Sequence, residues 1–495
     1  MRTIISRLIP VLLIAGFSIC ARANEPADAG QSLVEALIAA LNSSDPAALK
    51  TFAERSCDAT IPPEERAKRL GSVHDQGAPF KFVRMLPPTE NSVTALVQDK
   101  AQMELGFKLE LNKDPSPKIV RMMIAPADAL SGPPPKDYKG WQNLADLTEA
   151  VRKETNNPAM AVAMIRQGQL EQSVKGTRAM NSTDAVTADE PWSIGSIGKP
   201  ICSTIIGHLI EEGKLRWDTT LGEAFKDWPM KEGYRQVTIE QIMHHRGGIP
   251  QDLGMRQPQV ERIVAGAADR QEIRKNYAKD ILSRDPIGKA GESFSYSNAG
   301  YALLGVIAET AMNKSYEDLV REIVFKPLGL KNSYTLADTL PHDRPSGHRR
   351  GPQGLEIANF SGPIEILYAP AGGGQFMSVA DLATFGKMHL DGLRGKDGLL
   401  KASTIKRLHQ GVAERGGEKR QYACGWSLEQ FPGIEMMHAH NGSNGTMRAQ
   451  LSIFPESDLV VASFANAGGE TEPSPPLQAV LAVAGKYASG VAPAQ

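Results

Sequence analysis

Apolar residues Leu33, Leu37, Ile38 and Leu41 recur at helical spacing and stop at Asn42-Ser43-Ser44-Asp45-Pro46, which predicts an amphipathic helix closed by a turn. A second short helix is expected from Ala47 to Arg55. Strand-like pieces follow from Lys81 to Met85, Ser92 to Val97, Met103 to Leu111 and Lys118 to Ile124, two of them alternating apolar with polar residues. Helices followed by antiparallel strands imply a small α+β unit. The run Ser131-Gly132-Pro133-Pro134-Pro135-Lys136 forbids helix and removes ladder donors, so it predicts an extended linker over 131–140. The chain then divides into a unit over 24–130 and a larger one over 141–490. In the larger unit, Ile201, Ile205, Leu209 and Ile210 mark a helix ended by Gly213, and Leu303, Leu304, Ile307 and Ala308 mark another. Apolar strands are expected from Ala449 to Phe454 and from Leu459 to Phe464.

Before all of this stands MRTIISRLIPVLLIAGFSICARANE, in which Arg2 and Arg7 precede an apolar run from Leu8 to Ile19 that ends at the small-x-small triplet Ala21-Arg22-Ala23. That pattern predicts a secretory signal peptide over 1–23 and a periplasmic or secreted product. Twelve apolar-rich residues fall short of the roughly 20 a membrane-spanning helix needs, so no stable anchor is expected after cleavage. Ile19 is bulky where lipoprotein processing before Cys20 would need a small residue.

Of 495 residues, 41% are hydrophobic and 22% charged, as in soluble globular proteins and unlike disordered or multi-span chains. The net charge of −1 becomes −4 once Arg2, Arg7 and Arg22 leave with the leader. Without a basic excess, nucleic acid is not an expected partner, which leaves a small molecule or peptide as substrate. Cys57, Cys202 and Cys424 would remain, without zinc or CxxC spacing. Cys202 reads as a buried thiol, and an exported location permits a Cys57–Cys424 bridge that no sequence feature requires.

The chemistry concentrates in three places. Ser196 in Trp192-Ser193-Ile194-Gly195-Ser196-Ile197-Gly198-Lys199 opens a buried helix, where unpaired N–H groups favour a developing oxyanion. Lys199, three residues on, shares its face, and a desolvated lysine can accept a hydroxyl proton. Next, Tyr296 and Asn298 in Phe294-Ser295-Tyr296-Ser297-Asn298 can project to one side, where a phenol near a cationic lysine would be stabilised as phenolate and serve as base and then acid. Third, His438-Ala439-His440-Asn441-Gly442-Ser443 precedes the late strands, and a glycine at a strand rim lets a substrate backbone approach and pair as an added strand.

Taken in order, these elements resemble the serine β-lactamase and penicillin-binding-protein superfamily, to which the SxxK motif belongs. The resemblance is to the class C β-lactamase-related branch, with its carboxypeptidases, aminopeptidases and esterases. It extends through IEEGKLRWDTTL, VTIEQIMHHRGGIP, GESFSYSNAGYALLGVIAE, KPLGLKNSY and PAGGGQFMSVADLATF, from about Leu144 to Ala467. It implies an antiparallel sheet flanked by helices, an all-helical region and a site between them, with no metal or organic cofactor. Ser196 is then the acylated nucleophile, Lys199 its proton partner, and Tyr296 the general base and acid. Asn298 holds the lysine or the substrate amide, while His440 and Gly442 occupy the K-T-G or H-x-G element. The oxyanion hole would be the N–H groups of Ser196 and Ser443. In the smaller unit, LNSSDPAALKTF and PSPKIVRMMIAP resemble the NTF2-like (SnoaL-like) cone fold and imply a docking or spacing module.

One departure bears on substrate. His440 stands where class C β-lactamases carry lysine, and imidazole is a weaker, pH-dependent anchor for a carboxylate, which argues against efficient β-lactam hydrolysis. D-amino-acid peptides, short-chain esters and β-lactams all remain open as substrates. A metal hydrolase fails on spacing, because Gly442 and Ser443 stand where HxHxDH needs Asp and His, and there is no HExxH. His438 reads as a rim or packing residue and His244-His245 as structural. No GxSxG elbow is present. The alternative to an enzyme is a non-catalytic penicillin-binding-like receptor for peptidoglycan fragments, which would need none of the Ser196–Lys199–Tyr296 proton chemistry.

Overall fold

The computed structural model describes residues 26–488, apart from 44, 87–90, 101–103, 115, 127–137, 139, 253–254, 256, 352–353, 359–361, 414–420 and 469–473. The leader and most of the proline-rich linker therefore lie outside the described residues.

Residues 26–126 build three helices, Pro26–Asn42, Pro46–Ser56 and Pro63–Gly77, on an antiparallel meander of Lys81–Met85, Ser92–Gln98, Glu104–Leu111 and Ile119–Pro126. Leu37 and Leu41 from the first helix meet Val93, Ala95, Phe107 and Leu109 from the sheet in a core of their own. Alternate residues of a strand share a face, which is why Phe107 and Leu109 turn inward together. The helix Pro63–Gly77 escapes the apolar pattern because its buried positions include the charged Glu65 and Arg66.

The larger unit is organised by an eight-stranded antiparallel sheet. Its order is Val412–Ala413, Gln421–Tyr422, Ser427–Glu429, Met437–Ser443, Arg448–Phe454, Leu459–Ala465, Ala159–Arg166 and Gln169–Gly176. Both faces of its centre are covered. Met160, Val162, Leu459 and Val461 pack against the terminal helices Leu144–Glu154 and Pro475–Tyr487. Ala161, Ala163, Val460 and Ala462 face the opposite way, toward Val379–Leu393 and the buried helices Gly198–Glu211 and Asn298–Met312. Strands buried on both sides lose polar alternation and become apolar throughout. The helix Gly198–Glu211 is likewise buried nearly all round, as its Ile201, Cys202, Ile205, Ile206 and Leu209 require.

The expected class, a sheet flanked by helices with a helical region beside it, is the one observed. The Cys57–Cys424 bridge is not made. Cys57 belongs to the core of residues 26–126, whereas the buried Cys424 thiol lies 3.6 Å from His244 Nε2. Among the described residues no helix is long and apolar enough to cross a membrane.

Candidate active site

Ser196 lies in the single turn Gly195–Ile197 that leads into the helix Gly198–Glu211. Gly195 has φ +51°, and a Cβ there would stand 2.4 Å from the Ser443 backbone nitrogen, so only glycine allows this turn against the strand. Gly442 continues the contact, since a Cβ on it would stand 1.9 Å from the Ile194 carbonyl oxygen. The space a side chain would need at Gly442 is thus taken by the protein's own backbone. This close approach brings the Ser443 N–H beside the Ser196 turn, the pair of positions expected for the oxyanion hole.

The strand Met437–Ser443 pairs with Arg448–Phe454 from His438 to Ser443, but its pairs with Ser427–Glu429 stop at Ala439. His440 to Ser443 therefore run past the end of their neighbour beside Ser196, an arrangement suited to receiving an extended substrate as an added strand.

Lys199 is fully buried one turn beyond Ser196. Its Nζ is 3.1 Å from Ser196 Oγ, 2.8 Å from Asn298 Oδ1 and 3.4 Å from the Ala371 carbonyl oxygen. Burial pushes its pKa well below the usual lysine range. The hydrogen-bond inventory agrees. Two of its three neighbours are carbonyl oxygens that only accept, so a neutral amine spends both hydrogens on them and turns its lone pair to Ser196 Oγ.

Tyr296 lies just before the helix Asn298–Met312, which Ser297 caps by accepting from the Gly300 N–H. Its ring passes under Lys199, with Nζ 4.6 Å from the centroid, and its phenol lies near the Ser196 hydroxyl. Burial pushes the phenol above its usual range. The phenolate expected beside a cationic lysine is therefore disfavoured, because the same desolvation discharges the lysine.

His440 is engaged by the protein's own groups. It is buried, with Nε2 3.1 Å from the Tyr422 hydroxyl, Nδ1 2.6 Å from the Asn441 carbonyl oxygen, and its ring 6.4 Å from that of Tyr296. The sequence pattern missed two members of this cluster. His245, at φ +56°, packs tilted against Tyr296 at 4.4 Å, accepts the Ser297 N–H on Nδ1 and meets the Tyr422 hydroxyl through Nε2. Burial holds it well below the ordinary histidine pKa. The adjacent pair His244-His245 was its only signal, and Tyr422 gave none.

His438 packs inward, as expected, into a chain of imidazoles. Thr204 Oγ1 donates to the Pro200 carbonyl oxygen and so accepts from His389 Nε2 at 3.1 Å. His389 Nδ1 then accepts from His409 Nε2 at 3.1 Å, and His409 Nδ1 from His438 Nδ1 at 3.0 Å. All three rings are neutral in this order.

A serine and a buried lysine at the start of a helix, beside an antiparallel sheet edge and a tyrosine, define a serine-dependent acyl-transfer type of fold and site. Residues 144–486 match the β-lactamase family, and the chain belongs to it. It is 28% identical over 352 residues to penicillin-binding protein 4 of Amycolatopsis lactamdurans, covering 68% of this chain and 87% of that one. The octameric penicillin-binding protein homologue from Pyrococcus abyssi superposes with a TM-score of 0.57 at 25% identity, over 69% of this chain and 76% of the other. The D-amino acid amidase of Ochrobactrum anthropi SV3 shares the fold, with a TM-score of 0.57 at 20% identity over 69% and 99%. The protein is a serine hydrolase of this family.

Proposed function

We propose that the protein is an exported hydrolase that cleaves an amide or ester through an acyl-enzyme on Ser196, with D-amino-acid derivatives as the substrate class. The observation that carries this is Lys199, fully buried with its amine 3.1 Å from Ser196 Oγ. The neutral amine takes the Ser196 proton as Oγ attacks the carbonyl carbon. The tetrahedral oxyanion forms beside the N–H groups of Ser196 and Ser443 at the helix start. The leaving nitrogen or oxygen receives its proton from the Tyr296 hydroxyl, which the Lys199 ammonium restores. Water then attacks the ester carbonyl with the same groups in the same roles. The base is thus Lys199, and Tyr296 keeps the acid role. Asn298 holds the lysine rather than the substrate.

The substrate class rests on the relatives, which include a penicillin-binding protein and, by fold, a D-amino acid amidase. Export rests on the leader pattern at 1–23. His440 is occupied by Tyr422 and Asn441, so a substrate carboxylate has no lysine to meet there. Amides and esters are therefore favoured over β-lactams. The test is a hydrolysis panel of D-amino-acid amides, short esters and β-lactams with wild type and Ser196→Ala. Turnover of the first two that Ser196→Ala loses supports the reading. Full activity in that variant removes Ser196 as nucleophile, and turnover confined to β-lactams overturns the substrate class.

A further inference from the structure

Residues 26–126 lie outside the family match, yet they touch the segment that carries Tyr296. On the helix Pro63–Gly77, Glu65 and Arg69 are four apart and so share a face. Arg69 Nη2 lies 2.5 Å from Glu65 Oε1, donates to the Phe294 carbonyl oxygen at 3.0 Å across 225 residues of chain, and reaches Ser293 Oγ at 3.3 Å. The Ser293 hydroxyl in turn donates to Glu65 Oε1. Gly288 makes room for the carboxyl, because a Cβ there would sit 3.0 Å from its carbon.

This contact is costly. The side chains of Glu65 and Arg69 are only 8% and 17% exposed, and Arg69 Nε is buried without a hydrogen-bond partner among the described residues. Buried pairs of this kind rarely repay their desolvation in stability and are better understood as fixing one arrangement. The arrangement fixed here is a short piece of backbone. Phe294, whose carbonyl Arg69 holds, packs edge-on against His245 at 5.7 Å and against Tyr422 at 5.4 Å. The Ser295 N–H donates to the His245 carbonyl oxygen at 2.8 Å, and the Ser297 N–H to His245 Nδ1 at 3.1 Å. Tyr296 lies between those two anchors, and Asn298, which holds Lys199, follows directly.

We propose that residues 26–126 complete the hydrolase site from outside, with Arg69 as a positioning residue that fixes the Phe294 carbonyl and thereby the stretch from Tyr296 to Asn298. The small unit is then part of the working enzyme and not a spacer. The inference rests on the proposed role of Ser196.

The experiment uses the full chain and a small 4-nitrophenyl ester, with a fluorophosphonate to titrate Ser196. Arg69→Met keeps the side-chain stem and removes the guanidinium. A misplacement of about 1 Å can cost about 100-fold, so kcat is expected to fall by about 10- to 100-fold with KM within about two-fold of wild type. Arg69→Lys restores one donor to Phe294 and should recover part of kcat. Ser293→Ala loosens the same clamp from the catalytic side and should lower kcat about three- to ten-fold, so the inference stays testable if Arg69→Met does not fold. Lys50→Ala, on an exposed ion pair of the same unit, should change nothing. Wild-type kcat in folded Arg69→Met, in Ser293→Ala alone if Arg69→Met does not fold, or a loss of activity that only tracks unfolded protein, overturns the inference and leaves Ser196 standing. If wild type itself is not labelled at Ser196, both readings fall.

Discussion

Lowering the pH from 7 to 5 should destabilise the catalytic unit steeply, and the structure says by how much. His245, His389 and His409 are at most 3% exposed, and burial depresses all three, His389 to about 3. An unfolded histidine binds a proton near pH 6.5, so below that value each of these rings gains a proton only on unfolding. The sign is therefore a loss of stability on acidification, with the contribution complete above pH 6.5. A ring that stays neutral throughout, as His389 does, contributes a slope of about 1.4 kcal/mol per pH unit. Glu365 opposes them. Burial raises its pKa to about 7, so the folded protein holds a proton that the unfolded chain releases above its ordinary range, and this group gains stability as pH falls toward 4.5. His389 at about 3 and His438 at about 4 set two losses against the one gain, a net slope of about 1.4 kcal/mol per unit or about 2 kcal/mol between pH 6.5 and 5, and His245 and His409 act in the direction of the loss. Against a typical stability of about 5–15 kcal/mol that is a large fraction. Urea titrations at pH 7.5, 6.5, 5.5 and 5, followed by tryptophan fluorescence, measure it directly, because Trp426 stacks on His409 at 4.5 Å. Replacing His389 with Gln should reduce the slope by about 1.4 kcal/mol per unit. A midpoint that stays level or rises from pH 6.5 to 5 would refute the neutral histidine chain.

Two further outcomes follow from the site. Lys199 must be neutral to accept the Ser196 proton and is pushed well below the usual lysine range, so acylation should rise with pH through its depressed pKa and level off before pH 10.5. A pH–rate profile for the 4-nitrophenyl ester checks this, and a rate that falls across that range contradicts it. Gly442→Ala would drive a methyl group to within 1.9 Å of the Ile194 carbonyl oxygen, backbone against backbone. A melting scan should show a loss of about 1–3 kcal/mol and an ester assay a loss of turnover larger than the unfolded fraction explains; an unchanged melting point would place the strand elsewhere.

Much of this architecture was legible along the chain because local chemistry wrote it there. Ser196 and Lys199 are one helical turn apart, Tyr296 and Asn298 flank a helix cap, and the apolar strands alternate between two covered faces. What escaped depends on contacts between distant segments. His245 meets Tyr422 across 177 residues, and the same Tyr422 hydroxyl engages His440. The sequence offers two bases for Ser196, a desolvated Lys199 and a Tyr296 phenolate, and the complete burial that separates them comes from segments far from the SxxK turn. The helix Pro63–Gly77 has no apolar period to read because its buried face carries Glu65, Arg66 and Arg69, of which Arg66 pairs with Asp58 inside the small unit while Glu65 and Arg69 serve the neighbouring one.

The central claim is an acyl-enzyme on Ser196, and mass spectrometry of the full chain after brief exposure to a D-amino-acid ester, quenched in acid, tests it most directly. The account predicts one acyl adduct, on the peptide containing Ser196, that decays with time in wild type and never forms in Ser196→Ala. Folded protein that hydrolyses the ester with no adduct at Ser196, or with an adduct on another residue, would contradict it.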